Sequence, residues 1–473
     1  MTDAEYFESE EFRDILKEYE EKDRLGGPLF MDLDDMADVA DFYHMNGQVD
    51  EAMAIIERAQ ELYPGATPPL VYKIHNALDN LDIDEAYRLL GMIDDKQDLE
   101  YLFIQGEILI AQDRIDEAEQ LFSERFRTIT PEQHQDFVVD VANIYSNYNV
   151  HDKAMQWSAR ALPEDTDDFR ELMARTLFGL GKYDESEQLF NELIDRHPYS
   201  VDYWNAIAST QYMKGDYNAA VTSSEYAIAI DPDNAEALQG KANGLQRLEN
   251  HEEAVKYFER YLEKIPDDEL ALLNLGVCLI NLGKLYEATT RLHQALDVAQ
   301  EDSPYLAEIY QELGFAYSEL HQPKTALHYL EKTDDMDCDH TEVMVVKGHV
   351  HLANGNIKKA EEIFRKIIED PETPPRALLR ILVSLYDNKY VHAAYKMFPH
   401  YFEVVGDDSK EGYSYMALCC WDLQRYEEFL KCLEKAVERN PQEARIVLSP
   451  LFPQGTDPTE YYNYMKEHLK PSI

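Results

Sequence analysis

The sequence predicts an all-α solenoid of about twelve helix–turn–helix units, and three observations point to it. The first is a phrase of the type x-hydrophobic-x-E-A, which returns as QVDEA, DIDEA, RIDEA, NHEEA, KLYEA and NIKKA. The small residue closing each phrase serves as an anchor: Ala52, Ala86, Ala118, Ala154, Ser186, Ala220, Ala254, Ala288, Ala326, Ala360, Ala394 and, less regularly, Phe429. Successive anchors lie 34, 32, 36, 32, 34, 34, 34, 38, 34, 34 and 35 residues apart, so one supersecondary unit is being repeated. The second observation is punctuation at the same period. Proline closes units at Pro64, Pro198, Pro232, Pro266 and Pro441, and glycine marks the turns at Gly47, Gly181, Gly215, Gly283 and Gly355. The third is composition: 45% hydrophobic residues, with 32 Tyr and 18 Phe in 473 residues, is core-forming material that excludes a disordered chain.

Taken in order, residues 1–30 read as an acidic N-terminal capping helix and turn. A helix over 3–24 places Phe12, Ile15, Leu16 and Tyr19 on one stripe and ends at Gly26-Gly27-Pro28. Residues 33–443 read as the repeat array. In the unit from Val201 to Asn234, Trp204, Ile207, Ala208, Gln211 and Tyr212 keep helical spacing, and Gly215-Asp216 makes the turn. Tyr217, Ala220, Val221, Ala227 and Ile228 then form a second stripe, which Pro232 closes. The spacings of 36 and 38 residues imply longer links near Thr130 and Ser303. Residues 444–473 read as a C-terminal capping helix. Asp457-Pro458-Thr459-Glu460 is a helix start, and Tyr461, Tyr464, Met465 and Leu469 follow on one face. Solenoid ends need such caps, so one continuous elongated domain is expected.

A second anchor set falls on the first helix of each unit: Ala40, Gly106, Ala142, Ala174, Ala208, Ala242, Gly276, Gly314, Gly348 and Ala417. Small residues at both anchors let the two helices approach closely. Ile74 and Leu382 break the rule, so units two and eleven are expected to pack less regularly, and Arg125 stands where unit three would usually carry a small residue. With Leu272, Leu275, Gly276, Ala288 and Ala295 in one unit, and Met344, Gly348, Ala360 and Phe364 in another, the chain resembles the tetratricopeptide repeat (TPR) family. The resemblance runs from about Leu33 to Glu443. It implies a right-handed superhelix whose concave groove is lined by first helices and takes a partner protein or peptide.

Charge and motifs narrow the function. With 44 Lys+Arg against 93 Asp+Glu the net charge is -49, which disfavours nucleic-acid phosphates and anionic membranes. The start MTDAEYFESEEF has neither region of a signal peptide, and no segment is apolar for long enough to span a bilayer. Five cysteines at no metal-ligand spacing suit a reducing, cytoplasmic setting. No phosphate loop, dinucleotide fingerprint or nucleophile elbow occurs. His349 and His351, two apart on a helix, point in different directions, and Cys419-Cys420 reads as core thiols. No catalytic residue, metal or cofactor is expected.

The expected function is therefore a non-enzymatic scaffold or adaptor; the alternative is a regulatory sensor whose superhelix responds to a small peptide or metabolite. Groove places are the second, fifth, sixth, ninth and twelfth of each first helix, as the resemblance implies. At the fifth, sixth and ninth, acids occur as Asp38, Asp41, Glu107, Asp140, Glu171 and Glu312, and bases only as Arg175 and Arg380. No unit has Lys at its fifth place, so the family's clamp for acidic C-terminal tails is absent. Asn205, Asn243 and Asn274 are candidates for holding a peptide backbone. The main partner site is expected in units ten to twelve, at Val345, Val346, Leu379, Val383, Tyr386, Tyr415, Leu418 and Trp421, with Leu352 beside them. Arg376 and Arg380 would give it a basic rim, in the stretch 341–400 where nine Lys+Arg meet seven Asp+Glu.

Overall fold

In a computed structural model of the chain, described for residues 6–7, 9–25, 31–45, 47–63, 65–161, 166–370, 372–406, 409–453 and 455–469, all twelve anchors are buried with at most 1% of their surface exposed. Among the described residues every regular element is helical. The chain divides into two compact units, Met1–Asp216 and Tyr217–Ile473, where the sequence suggested a single continuous domain.

The first unit holds α1 (Glu10–Leu25), then α2 (Leu33–Met45) with α3 (Val49–Leu62), α4 (Thr67–Asp79) with α5 (Ile83–Leu90), and α6 (Leu99–Ala111) with α7 (Ile115–Phe126). It continues through α8 (His134–Asn147) with α9 (His151–Ser158), α10 (Asp167–Gly179) with α11 (Tyr183–Arg196), and α12 (Val201–Lys214). The second unit opens with α13 (Tyr217–Ile230), followed by α14 (Ala235–Arg247) and α15 (His251–Lys264), α16 (Glu269–Asn281) and α17 (Leu285–Val298), and α18 (Leu306–Glu319) and α19 (Pro323–Glu331). It ends with α20 (His340–Ala353) and α21 (Ile357–Glu369), α22 (Pro375–Asp387) and α23 (Val391–Val405), α24 (Tyr413–Asp422) and α25 (Tyr426–Arg439), and then α26 (Pro441–Leu448) and α27 (Pro458–His468). Even-numbered helices from α2 to α24 are the first helices of their pairs.

Close approach at the anchors is visible atom by atom. A Cβ added to Gly106 would lie 2.1 Å from Phe122, and one added to Gly348 would lie 2.2 Å from Phe364. At Gly276 and Gly314 the same atom would meet Leu292 at 2.7 Å and Leu330 at 2.5 Å. Each bulky partner stands four residues after a second-helix anchor, so the first helix is notched where the second is ridged. Ser186, the polar anchor, donates its hydroxyl to the Ala174 carbonyl at 2.8 Å, joining the two anchor sets directly. Ile74 and Leu382 are accommodated and buried, in pairs that touch less extensively than most of the others. Arg125 lays its guanidinium against the Gln97 carbonyl at 3.0 Å.

The turns share one geometry that the glycines only partly disclose. Twelve turn residues adopt positive φ: Gly47, Gly181, Gly215, Gly283 and Gly355, but also Leu81, Asp113, Asn149, Glu249, His321, Lys389 and Gln424. In each pair the next residue's N–H donates to the carbonyl five residues before it, at 2.8–2.9 Å, as from Asp82 to Ala77 and Lys284 to Leu279. This is the Schellman closure of a helix end, and it imposes the left-handed conformation whether or not glycine is present. The longer links are structured too. Thr130 caps a short 3-10 turn at Pro131–Gln133, and Ser303 Oγ donates to Glu269 at 2.6 Å.

The ends differ in detail from expectation. Helix α1 runs over Glu10–Leu25, with Ser9 Oγ accepting the Phe12 N–H at 3.1 Å at its start, and residues 3–5 and 8 of the expected helix lie outside the described residues. Phe12 and Tyr19 are buried in the cluster around Met36 and Val39, with Ile15 and Leu16 packed against it. The expected closing residues Gly26-Gly27-Pro28, and Pro64, lie outside the described residues. The C-terminal stretch is two helices rather than one. Asn440 caps α26 by accepting the Glu443 N–H at 3.0 Å, so that helix starts inside the residues assigned to the array. Asp457 caps α27 as expected, accepting from Thr459 N at 3.0 Å, and Tyr461 stacks on Phe452 at 3.8 Å.

Turn geometry yields a stability test. A non-glycine residue in the left-handed region costs about 1–2 kcal/mol, offset in part by the extra unfolded-state freedom of glycine. Leu81→Gly is therefore expected to raise stability by up to about 1 kcal/mol, and Gly283→Ala to lower it by about 1 kcal/mol, in urea denaturation of the full chain. Equal shifts in the two variants would remove the turn conformation as the cause.

Candidate functional site: the first-helix face

Within each unit the first helices touch their neighbours along the series, α2 to α10 in the first and α14 to α22 in the second, whereas second helices scarcely meet one another. First helices therefore line the inner side of each unit's curvature. A recess on that side lies in the second unit, among α18, α20 and α22. It is a cleft of about 640 Å³ lined in part by Pro304, Ala307, Gln311 and Val343 and by the link Asp337-Cys338-Asp339.

Its charged groups follow from helical spacing. Glu308 and Glu312 stand four apart on α18 and face the cleft together, as do Arg376 and Arg380 on α22. Glu342, in the first turn of α20, lies between the two pairs and is 4% exposed. Its Oε1 is 2.9 Å from Arg376 Nε, and its Oε2 accepts from Arg380. Arg376 also reaches Asp339 at 3.5 Å. A buried carboxylate thus holds both guanidiniums, as desolvation demands. Glu308 and Glu312 have no hydrogen-bond or ion-pair partner among the described residues. Burial pushes Glu312 up from its ordinary 4.5 to about 7, with Arg380 opposing and Glu308 adding, and burial raises Glu308 as well.

The residues singled out from sequence divide sharply by exposure. Val345, Val346 and Leu379 are buried in the packing between helices, as is Leu352, so their side chains are spent on the core. Val383, Tyr386 and Tyr415 are half-buried beside the same core, and Leu418 and Trp421 beside the next one. Tyr386 donates its hydroxyl to Asp422 at 2.9 Å, tying α22 to the end of α24. Burial, helped by Glu443, Asp387 and Glu249, pushes the Tyr415 hydroxyl up to about 12. Asn205 is buried in the first unit; Asn243 and Asn274 are half-buried in the second, where Asn274 accepts from Gln246 at 3.3 Å.

The basic rim is present but engaged. Arg376 and Arg380 are solvent-exposed, yet both are held by Glu342, while Lys347 pairs with Asp334 and Arg365 with Glu361, each at 2.5 Å. Sequence reasoning missed Glu342 and Glu308 because neither occupies a fifth, sixth or ninth place. The available signal was the pair of four-residue spacings, Glu308/Glu312 and Arg376/Arg380, two repeats apart.

Other polar clusters are structural in geometry. His349 bridges three first helices, with Nδ1 at 2.9 Å from Ser384 Oγ and Nε2 at 3.1 Å from Glu319. Ser384 is 4% exposed, so the chain of contacts is closed off between α20 and α22. All five cysteines are free thiols, with Cys419 and Cys420 wholly buried. Among the described residues no His, Cys, Asp and Glu cluster has metal-binding geometry, and no helix is long and apolar enough to cross a membrane.

Comparison with known proteins agrees with this architecture. Family models described as tetratricopeptide repeat match residues 172–235, 212–269, 267–336, and 341–369 with 413–443. The chain is 21% identical over 238 residues to BBSome complex member BBS4 of Bos taurus, covering 50% of this chain and 44% of that protein. It is 30% identical over 81 residues to a TPR repeat-containing protein of Rhizobium etli, covering 17% of this chain and 40% of that one. The chain thus spans under half the length of these curated relatives. Among solved structures, MamA from Desulfovibrio magneticus RS-1 shares 19% identity, with 37% of this chain and 96% of that chain covered and a TM-score of 0.35. PilW, a type IV pilus biogenesis factor, shares 19% over 47% of this chain and 100% of its own, with a TM-score of 0.39. YrrB, described as a TPR protein with an unusual peptide-binding site, shares 20% over 42% and 97%, with a TM-score of 0.35.

The raised Glu312 makes a stability test with a definite sign. The folded chain holds this proton to higher pH than the unfolded chain does. The group therefore favours folding at low pH, and that contribution is lost as pH rises from 4.5 to about 7. Glu312→Gln keeps the neutral shape. Its melting temperature is expected to match the parent near the low end of that window and to exceed it increasingly towards pH about 8. A constant difference across the range would contradict the burial of this carboxyl.

Proposed function

Because the chain belongs to the tetratricopeptide repeat family, whose fold typically serves as a scaffold for protein interactions, we propose that it is a non-enzymatic scaffold holding a partner protein or extended peptide against the first-helix face of residues 217–473. The observation that carries this reading is the cleft among α18, α20 and α22, built from three consecutive first helices, as a surface for an extended chain must be. On α22 and α24, Val383, Tyr386, Tyr415, Leu418 and Trp421 keep part of each side chain exposed while the rest is locked by packing. Trp421, for instance, rests on Tyr426 and Phe429 at 5.6 and 5.1 Å between ring centres. Rigid, half-exposed aromatic and aliphatic groups bind with little further loss of side-chain freedom.

This reading differs from one based on charge alone. Arg376 and Arg380 already satisfy Glu342, so reversing them would strand a buried carboxylate and damage the fold before it informed on binding. The aromatic positions are the better probes. With the intact chain immobilised and a stoichiometric protein partner captured, Tyr415→Ala and Trp421→Ala are each expected to weaken binding by about 2 kcal/mol while helicity is retained. Normal affinity in both variants, or turnover of a small molecule by the purified chain, would defeat the proposal.

A further inference from the structure

We infer that Cys420 on α24 and Cys432 on α25 form a redox-modification site, at which hydrogen peroxide joins the two thiols in a disulfide that staples this helix pair. The inference goes beyond the scaffold reading and stands without it. Because α24 also carries Tyr415, Leu418 and Trp421, the staple would fix part of the first-helix face.

The register of a helix pair brings the two thiols together. At Gly106, Gly276, Gly314 and Gly348 the bulky partner across the pair stands sixteen positions later, at Phe122, Leu292, Leu330 and Phe364. The same relation in the last pair joins Ala417 to Leu433, both wholly buried. Cys420 lies one turn beyond Ala417 and Cys432 immediately precedes Leu433, so antiparallel packing sets them at nearly the same level. Both belong to the buried cluster around Phe429 and Leu433. Their thiols are hydrogen-bonded to each other. The small Ala417 draws the two backbones close, which the short span of a disulfide requires. The other thiols are kept apart. Cys278 sits in the core around Leu275, Cys419 faces the preceding pair around Phe398, and Cys338 packs against the cluster of Leu330 and Val346.

Their environments also divide the roles. The Cys420 S–H donates to the Cys432 sulfur and pulls the Cys432 thiol below its ordinary value; burial opposes this and Lys435 assists. The same hydrogen bond, with burial, pushes Cys420 up. Cys432 is 7% exposed and Cys420 wholly enclosed, so Cys432 is the first to meet a small oxidant. Its thiolate attacks one peroxide oxygen and breaks the O–O bond, leaving a sulfenic acid and hydroxide. Cys420 then gives up its proton and attacks that sulfur, forming the S–S bond while the sulfenic oxygen leaves as water. Overall the two thiols lose two electrons and two protons, and one hydrogen peroxide becomes two waters.

The full chain, reduced and then freed of reductant, is treated with hydrogen peroxide at neutral pH. It is blocked with N-ethylmaleimide and digested with trypsin without reduction. Cleavage after Lys410, Arg425, Lys431 and Lys435 puts the two thiols in separate peptides, 411–425 and 432–435. A disulfide joining these peptides is expected as the main oxidised species, and dithiothreitol should remove it. Fragmentation of the linked peptides assigns the bond to Cys420 or Cys419 in the parent chain, so the answer does not rest on a variant that must fold. Cys419→Ala should keep the link, whereas Cys420→Ala and Cys432→Ala, checked for helicity, should each abolish it. The inference is overturned if both thiols stay reduced, if Cys419 bonds to Cys420 or Cys432 instead, or if the Cys420–Cys432 link forms only in chain unfolded by urea.

Discussion

Close approach of the two helices of a pair, at a small residue of the first helix, is the constraint on which the rest of this structure depends. Where the first helix carries glycine, as at Gly106, Gly276, Gly314 and Gly348, a phenylalanine or leucine of the second helix fills the space a methyl group would take. That fit brings the two axes near enough for a continuous core, and its recurrence every 34 residues or so is the repeat itself. Interiors this close-packed tolerate little change in volume, so the anchor sets the crossing geometry of each pair. The larger Ile74 and Leu382 are buried at the same place without breaking the pattern. The Schellman closures act in the same direction, since they return the chain antiparallel at each turn regardless of which residue takes the left-handed place.

The strongly acidic composition shows how such a fold distributes charge. Many basic groups among the described residues are engaged with acids on neighbouring turns or repeats, as Arg88 is with Glu85 and Lys214 with Asp184 and Glu187. These exposed pairs contribute little individually. A buried carboxylate is different. Glu342 requires both Arg376 and Arg380, and by taking them it converts a stretch of net positive charge into a recess whose remaining groups are acidic. Local counts of Lys and Arg therefore overstate the basic charge this face leaves free, because part of it is taken up by internal pairing.

A common logic joins the core and the site. First helices must lie side by side to bury their apolar stripe, and that same stacking aligns side chains from three repeats around one cleft. The aromatic residues of α22 and α24 are half in the core and half out of it, so the packing that stabilises the array also holds them rigid. The His349 bridge to Glu319 and Ser384 ties α18, α20 and α22 together at their opposite ends. The cleft is thus braced at both ends of the helices that form it.

Much of the fold was legible in the sequence because it repeats. Ala52, Ala86, Ala118 and their successors mark twelve helix pairs through a single periodic requirement, and Asp457-Pro458 marks a helix start through local backbone chemistry alone. The turn conformation at Leu81 or Lys389 was not legible, since no side chain there announces it and the hydrogen bonds that impose it come from the flanking backbone. The site was legible only in part. Helical spacing placed Tyr386, Tyr415 and Trp421 on the first-helix face, but it did not separate them from Val345, Val346 and Leu379, which share that spacing and lie in the core. Exposure depends on how far a neighbouring repeat leans over each position, and pairing depends on which charges stacking brings within reach. Both are set by contacts between residues more than thirty positions apart, such as Glu342 with Arg380, so they were decided by tertiary structure, while the repeat and its helices were determined by the sequence itself.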